Sequence, residues 1–193
     1  MRIFLAGATG VIGLQLVPLL IDAGHEVAAM TRSSDKTGTL RTMGAEPVIC
    51  DVFDVVALRA AVVAFRPDML MHQLTDLPDD ATRIPEVGAA NNRIRREGTA
   101  NLLAAAKVAG TSRFIAQSVA WPLPGDGGAA VAELERMVLA AEGVVIRYGR
   151  FYGPGTYSEV EKPEPPRIHV AEAARQTVMA LDAPSGVLSM IES

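Results

Sequence analysis

The chain alternates short apolar segments with longer amphipathic ones. Residues 2–6 are mostly apolar, and after a glycine-rich turn apolar residues recur at helical spacing up to Ile21. The short segments predict strands at residues 2–6, 25–31, 46–50, 69–72, 113–116, 144–147 and 187–190. The amphipathic segments predict helices after Gly13, then up to Met43, and at residues 55–65, 89–109, 131–141 and 170–181. Strands and helices that alternate at this spacing are typical of a parallel sheet with helices on both faces.

Three segments break this alternation and are predicted to be loops. Residues 76–90 are rich in Pro, Asp and Gly, residues 122–130 in Pro and Gly, and residues 156–166 in polar residues and Pro. At 193 residues with 49% hydrophobic content, the chain can bury one sizeable core but is too short for two ordinary domains. We therefore expect a single domain over residues 1–193.

Composition and charge argue against several kinds of partner. The formal net charge is −4 and aromatic residues make up 5% of the chain, so the sequence offers little for nucleic acid to bind. The one dense basic cluster, Arg93, Arg95 and Arg96, is better explained as a solvated helix face than as a phosphate-binding patch. No apolar run is long enough for a membrane span, and the single cysteine, Cys50, lies in an apolar segment. We expect a soluble cytoplasmic protein whose partner is a small molecule.

The turn between the first strand and the first helix is the strongest functional feature of the sequence. It places Gly7, Gly10 and Gly13 directly after a strand and at the start of a helix. Glycines let the backbone approach a phosphate closely, and a helix N-terminus supplies free N–H groups and the positive end of a dipole. The turn therefore predicts a dinucleotide site.

Residues after the other strands bear on which dinucleotide binds, because open parallel sheets bind ligands beyond the carboxyl ends of their strands. Arg32 follows the second strand, where no carboxylate stands to hold a ribose; this favours a 2′-phosphate, and so NADP over NAD, the alternative being an exposed surface arginine. Asp51 follows the third strand and suits either the adenine amino group or a helix cap, a role open also to Asp54. His72 has no second metal ligand at a useful spacing and is interpreted as a hydrogen-bonded strand-end residue, so no metal site is predicted.

The sequence also resembles a known family. The resemblance rests on the G-x-x-G-x-x-G turn, on His72, on Gly98-Thr99-x-Asn101-Leu102-Leu103, on Ser118 and on Tyr152-Gly153-Pro154-Gly155. These features occur in the order found in extended and atypical short-chain dehydrogenase/reductases, the relatives of nucleotide-sugar epimerases, and the match covers almost the whole chain. The resemblance implies a Rossmann-type α/β fold, a doubly wound parallel sheet of about seven strands. It also implies an NAD(P)-dependent oxidoreductase or epimerase-like enzyme that acts on a small carbonyl or alcohol.

Roles for individual residues follow from the resemblance. The residues implied to bind the cofactor contact, in chain order, its pyrophosphate, 2′-phosphate, adenine, nicotinamide ribose and nicotinamide. They are Gly7, Thr9, Gly10, Val11, Ile12, Gly13, Arg32, Asp51, Val52, Gln73, Leu74, Thr75 and Tyr148. Ser118 would polarise a substrate carbonyl or hydroxyl. Tyr148 and Tyr152 would either supply a proton or simply pack beside the cofactor.

The catalytic residues of the family are only partly present. Active members carry a Tyr and a Lys at Y-x-x-x-K spacing after the serine, and the Lys lowers the phenol pKa. Here Gly127 and Val131 stand at those positions, and Arg95 stands where the long helix of the family carries Asn. The sequence therefore leaves three hypotheses open: an active oxidoreductase, a catalytically inactive NADP(H)-binding sensor or scaffold protein, or a structural domain with a vestigial site.

The C-terminal part of the chain is short for this family. Residues 156–193 are interpreted as a much shortened remnant of the substrate region, which predicts a reduced substrate cap. The loops at 122–130 and 156–166 are short either naturally or because segments are missing from this sequence. Long helices of this fold often pair subunits, so a homodimer is compatible with the pattern.

Overall fold

A parallel sheet forms the centre of the molecule. The computed structural model of the chain describes residues 1–77 and 84–192. Its strands are β1 (Arg2–Ala6), β2 (Glu26–Thr31), β3 (Glu46–Ile49), β4 (Met69–His72), β5 (Arg113–Val119), β6 (Val144–Tyr148), β7 (Arg150–Tyr152), β8 (Arg167–His169) and β9 (Gly186–Met190). One sheet has the order β3-β2-β1-β4-β5-β6-β9 with every neighbouring pair parallel, and β7 and β8 form a separate parallel pair. The predicted doubly wound sheet of about seven strands is confirmed.

Helices cover both faces of this sheet. They are α1 (Val11–Asp22), α2 (Thr37–Thr42), α3 (Val55–Phe65), α4 (Ile84–Arg93), α5 (Thr99–Ala109), α6 (Gly125–Ala140) and α7 (Val170–Met179). A 3-10 turn (Ser34–Lys36) precedes α2, and a π-helical turn (Ile94–Gly98) joins α4 to α5. α1 and α7 pack on one face, whereas α3, α5 and α6 pack on the other. Within the described residues, no helix combines the length and apolar character needed to cross a membrane.

The strand β1 shows how the core divides into two layers. Its residues are fully buried from Ile3 to Ala6. Ile3 and Leu5 pack with α1 and α7, while Phe4 and Ala6 pack with α3 and α5. A strand covered on both faces is apolar at successive positions rather than at alternate ones. This explains why the sequence shows β1 as a continuous apolar segment.

The order of the strands places one crevice at the carboxyl edge of the sheet. Chain order reverses between β1 and β4, which lie side by side in the centre. The Gln73 N–H just after β4 donates to the carbonyl oxygen of Ala6 at the end of β1, at 2.8 Å. Ligands of open α/β sheets bind at such a reversal. The glycine turn after β1 and the loop after β4 therefore line the position expected for a cofactor.

Two predicted loops are partly helical. The prediction at residues 76–90 is wrong from Ile84 onward, where α4 begins, and residues 78–83 lie outside the described residues. The prediction at residues 122–130 is wrong from Gly125 onward, where α6 begins. The Asp126 carboxylate lies in the first turn of α6, where it accepts hydrogen bonds from Asn92 and Arg96 and interacts favourably with the positive end of the helix dipole. These long-range contacts outweigh the low helix propensity of the glycines.

Candidate functional site

The glycine turn is packed too closely for side chains at two of its three glycines. Gly7 has φ +93°, and a Cβ there would lie 2.5 Å from the carbonyl oxygen of Gln73. A Cβ on Gly13 would lie 2.2 Å from the carbonyl oxygen of Gly7. Gly10, just before α1, provides no side-chain cap, so the first N–H groups of the helix are left for another acceptor. This is the geometry that a pyrophosphate requires.

A cleft next to this turn carries positive charge. It has a volume of about 300 Å³ and is lined by Thr9, Thr31, Arg32, Ser33 and Lys36; we call it the Arg32 cleft. The hydroxyls of Thr9 and Thr31 lie 3.1 Å apart, and the Ser33 N–H donates to the Thr31 hydroxyl at 3.2 Å. Two cations and several hydroxyl and N–H groups therefore converge on this cleft. The sequence analysis identified Thr9 and Arg32 but missed Ser33 and Lys36, which stand within four positions of Arg32.

Asp76, which the sequence analysis also missed, joins this cleft to the helical segment that follows β4. Its carboxylate accepts a hydrogen bond from the half-exposed Arg32 guanidinium at 3.1 Å. Its backbone N–H donates to the side-chain oxygen of the buried Asn91 at 3.1 Å. The Arg32 side chain is thus held by a carboxylate that a ribose phosphate would have to replace.

The loop after β3 separates the two alternatives considered for Asp51. Asp54 caps α3, because its carboxylate accepts the Ala57 N–H at 3.0 Å. Asp51 instead accepts the Phe53 N–H at 2.9 Å and remains exposed. The carbonyl oxygen of the buried Val52 accepts a hydrogen bond from Asn101 at 3.0 Å, which fixes this loop against α5. Contact of Asp51 and Val52 with adenine stays a prediction.

At the end of β4, His72 positions the next loop. It is fully buried; its Nδ1 accepts the Leu74 N–H at 3.2 Å, so Nε2 carries the proton and donates to the Thr99 hydroxyl at 3.1 Å. Burial lowers the pKa of His72 to about 4, so the ring is neutral near pH 7. Gln117 donates to the Leu74 carbonyl oxygen at 3.0 Å, which leaves Thr75 exposed beyond the fixed part of the loop. Within the described residues, no group of three His, Cys, Asp or Glu side chains is placed to hold a metal ion.

Ser118 belongs to a buried polar group that the sequence analysis missed. Its hydroxyl donates to Glu135 at 2.6 Å, and Arg147 binds both oxygens of that carboxylate at 2.8 and 2.5 Å. Burial alone would raise the pKa of Glu135, but the hydrogen bonds from Arg147 and Ser118 and the Arg147 charge bring it below its usual value. The signal in the sequence is a charged residue on the inner face of α6, opposite another in the apolar strand β6.

This polar group forms one end of a second cavity. The cavity has a volume of about 380 Å³ and is lined by residues 119–123, by Arg147 and by the α6 residues Gly128, Val131, Ala132 and Glu135; we call it the α6 cavity. Apart from Glu135 and Arg147, its walls are mainly apolar. It opens at the carboxyl ends of β5 and β6, and its apolar walls with one charged end are typical of sites for small organic molecules.

The two tyrosines proposed as proton donors lie apart from Ser118. Residues alternate faces along β6, so Arg147 shares the face of Ser118 while Tyr148 lies on the other. The Tyr148 hydroxyl is buried and lies 2.7 Å from that of Thr177, and burial raises the pKa of Tyr148 to about 12. Tyr152 donates to Glu192. The structure therefore brings neither hydroxyl to Ser118, although the Gln73 amide reaches the Tyr148 hydroxyl at 3.5 Å.

Comparisons with known proteins agree with this geometry. Residues 7–141 match a family described as NAD(P)H-binding. A 3-diazoavenalumate denitrifying reductase from Streptomyces sp is 41% identical over 180 residues, which cover 81% of this chain and 58% of that protein. The Photosystem II assembly factor Ycf39 of Guillardia theta is 33% identical over 122 residues, covering 62% of this chain and 35% of that protein. This chain thus spans less than two thirds of the length of either relative.

Solved structures share the fold at lower identity. The UDP-glucose 4-epimerase of Thermus thermophilus, determined with NAD, has a TM-score of 0.80 and 19% identity, covering 99% of this chain and 78% of that one. The Bordetella bronchiseptica enzyme WbmH, determined with NAD+, has a TM-score of 0.78 and 18% identity, covering 99% and 75%. With the family match over residues 7–141, the chain belongs to the NAD(P)H-binding family of extended and atypical short-chain dehydrogenase/reductases.

Proposed function

We propose that the protein is an NADP(H)-dependent oxidoreductase that transfers a hydride between the nicotinamide and a small organic substrate in the α6 cavity. The observation that carries the proposal is the packing of the glycine turn, where a Cβ on Gly7 or Gly13 would lie within 2.5 Å of backbone atoms. Such close packing leaves the backbone N–H groups at the start of α1 accessible to a pyrophosphate. When bound, the cofactor supplies the hydride.

The preference for NADP rests on charge in the Arg32 cleft. Arg32 and Lys36 both line it, and the cleft adjoins Thr9 of the glycine turn. A 2′-phosphate carries two negative charges that these side chains can bind, whereas a free ribose hydroxyl pair gains little from cations. NADH therefore fits this chain less well than NADPH.

Residues of this chain would also shape the substrate site. Arg147 and Ser118 hold Glu135 as a carboxylate at the charged end of the α6 cavity. Since Ser118 donates its proton to Glu135, its oxygen is left to accept a hydrogen bond from the hydroxyl of an alcohol substrate, and the same hydroxyl would turn to donate to the carbonyl oxygen of an aldehyde or ketone. Val119 and Trp121 line the apolar part of the cavity, which would pack against the organic part of a substrate.

Calorimetric titration with NADPH and NADH tests the cofactor assignment. Replacing Arg32 by Ala should weaken NADPH binding about tenfold, because a hydrogen bond to a charged group contributes about 1.5 kcal/mol or more, and should leave NADH binding unchanged. Arg41→Ala is the matched control, since Arg41 is exposed on α2 and contacts Thr37. Equal losses in both arginine variants, or no binding of either cofactor, would overturn the assignment.

Turnover is measured separately by following NADPH oxidation with a panel of aldehydes, ketones and diazo compounds. The diazo compounds belong in the panel because the Streptomyces relative is named for such a substrate. An active enzyme should lose most of its turnover in Ser118→Ala while its NADPH affinity stays the same. Turnover that does not depend on Ser118 would remove that residue from the catalytic site.

A catalytically inactive NADP(H)-binding sensor or scaffold is the second candidate. It is favoured by the distance of the tyrosines from Ser118, since Tyr148 contacts Thr177 and Tyr152 contacts Glu192. An assembly factor among the relatives makes such a role reasonable. Tight NADPH binding without turnover on any member of the panel would decide for this candidate.

We also propose that the protein forms a homodimer, because long helices of this fold often pair subunits, and that it resides in the cytoplasm. The Cys50 thiol is buried, and burial together with Asp54 and Asp51 raises its pKa to about 11, so it is suited to a reducing compartment in which thiols stay unpaired. Sedimentation of the purified protein measures the oligomeric state, and a single monomeric species at micromolar concentration would refute the dimer.

A further inference from the structure

The helix α4 and the π-helical turn after it, residues 84–98, form one helical segment, which we call the α4–π segment. Its three arginines from Arg93 onward differ in their partners. Arg93 contacts Glu97 at 2.8 Å, and Arg96 contacts Asp126 at 2.5 Å. Both pairs lie on the solvated helix face that the sequence analysis expected of the basic cluster, and Arg93 also lies over the Phe53 ring, 3.8 Å from its centroid. Arg95 is different: it is half-buried and donates to the side-chain oxygen of Asn92 at 3.1 Å. Among the residues that the structure describes, no carboxylate lies within 4 Å of the Arg95 guanidinium.

Arg95 lies on the helical segment beyond the carboxyl edge of the sheet. Thr99, which contacts His72 at the end of β4, follows Arg95 by four residues, so Arg95 is about one helical turn further out on a similar face. Its partner Asn92 contacts Asp126 in the first turn of α6 at 2.8 Å. The segment is π-helical, a local geometry found frequently at functional sites.

The surroundings connect Arg95 to the α6 cavity. A Cβ on Gly127 would lie 4.0 Å from the Asn92 side-chain oxygen and 3.6 Å from Leu123, and Leu123 lines the cavity together with Gly128. Asn92 and Leu123 are therefore neighbours across Gly127, and Arg95, which donates to the same Asn92 oxygen, lies close to the Leu123 end of the cavity.

A half-buried cation to which the described part of the chain brings no carboxylate is unfavourable in the free protein. Burial lowers the pKa of Arg95, which reflects the loss of hydration of its charged form. The guanidinium nevertheless stays charged at neutral pH. An anion that enters beside it would recover the lost electrostatic free energy, and a guanidinium binds two oxygens of such a group at once.

We propose that Arg95 binds a carboxylate or phosphate group of the substrate, so that the protein acts on small anionic organic molecules. The inference rests on the proposed function, because it takes the α6 cavity as the substrate site. In this arrangement Arg95 holds the charged end of the molecule, and the apolar walls near Leu123 receive the remainder. Arg95 is a binding residue that sets substrate specificity.

Binding of simple probes to the NADP+ complex tests this role without any turnover. Benzoate and phenyl phosphate carry the two candidate anions, and benzamide is the neutral counterpart of benzoate. Wild-type protein should bind at least one of the two anions about tenfold more tightly than benzamide, and Arg95→Met should lose that difference. Arg93→Met is the control, because the Arg93 pair with Glu97 is exposed and should leave probe binding unchanged. A preference for benzoate identifies a carboxylate, and a preference for phenyl phosphate identifies a phosphate.

Thermal unfolding of the same variants gives a readout that needs no ligand. Arg95→Met should keep or raise the melting temperature, since the change removes a half-buried charge that lacks a carboxylate partner. A melting temperature lowered by several degrees would show a structural arginine and overturn the proposal. Equal probe binding by Arg95→Met and wild type would overturn it too, as would weaker NADP+ binding by Arg95→Met alone, which would assign the residue to the cofactor. Failure of wild-type protein to bind NADP+ at all would instead refute the proposed function.

Discussion

Substitution of single glycines in the turn after β1 separates the fold of the turn from its function. A Cβ on Gly13 would lie 2.2 Å from the Gly7 carbonyl oxygen and 2.7 to 2.8 Å from backbone atoms of Ala8. All of these are main-chain atoms between a central strand and α1, so they cannot rotate away. Overpacking costs about 1–3 kcal/mol, and we expect Gly13→Ala to cost about 3 kcal/mol, or roughly 6–12 °C in melting temperature for a chain of this size.

Gly10 provides the matched control within the same turn. Its φ is −79°, which any residue adopts, and a Cβ there would lie 3.4 Å from the Gly7 carbonyl oxygen. Gly10 is the N-cap of α1, where Ala is less favourable than Gly by roughly 0.5–1 kcal/mol, so Gly10→Ala should melt within about 4 °C of wild type. The added methyl group should still obstruct the pyrophosphate and weaken NADPH binding about tenfold or more.

Thermal unfolding followed by calorimetric titration with NADPH measures both quantities on the same samples. The reasoning about packing is refuted if Gly13→Ala melts like wild type. The assignment of the turn to the pyrophosphate is refuted if Gly10→Ala binds NADPH with unchanged affinity.

Three further substitutions have defined outcomes. Asp76→Asn frees Arg32 from an exposed ion pair worth about 0–1 kcal/mol, so calorimetry should show up to about fivefold tighter NADPH binding and no change with NADH. His72→Gln should flatten the pH dependence of the unfolding free energy measured in urea. The pKa of His72 is about 4 in the folded protein and lies below the unfolded value, so the wild-type stability is full above pH 6.5 and falls by roughly 3 kcal/mol towards pH 4. A parallel decline in the stability of both proteins would contradict this. Glu135→Gln should lower the free energy of unfolding at pH 7 by about 1–2 kcal/mol, a modest loss because Arg147 is 43% exposed and water partly solvates its charge when the carboxylate is removed. The difference in unfolding free energy between the two proteins should narrow at low pH, as wild-type Glu135 becomes protonated below its usual pKa. A difference that stays constant with pH would exclude the charge as the cause.

The parts of the fold that depend on local pattern were predictable from the sequence. β1 and the glycine turn were placed correctly because a continuous apolar segment followed by closely spaced glycines has few other interpretations. The start of α6 at Gly125 was missed, because its stability depends on contacts of Asp126 with Asn92 and Arg96, which lie 34 and 30 positions away. The pair β7 and β8 was missed as well, since strands of three residues carry no usable periodicity.

Some residues of the candidate site could likewise be predicted from the sequence, whereas others could not. Gly7 and Arg32 follow strands directly and could be identified by position along the chain. The pair of Glu135 and Arg147 could not be predicted, because it forms only where α6 packs beside β6 and the two opposite charges meet. The position of Tyr148 depends on which face of β6 it occupies, and that face is set by the register with β5.

Asp76 contacts both the Arg32 cleft and the helical segment that carries Arg95. The Asp76 carboxylate accepts a hydrogen bond from Arg32 and its backbone N–H donates to Asn91, so this one residue connects the Arg32 cleft to the α4–π segment. A cofactor phosphate that binds Arg32 would compete with the Asp76 carboxylate for that guanidinium, while Asp76 also holds Asn91, one helical turn before Arg95. If this exchange shifts the loop that carries Asp76, thermodynamic reciprocity requires that a substrate bound at Arg95 and the cofactor phosphate alter each other's affinity by the same factor. Any such coupling would pass through a single aspartate on the loop after β4.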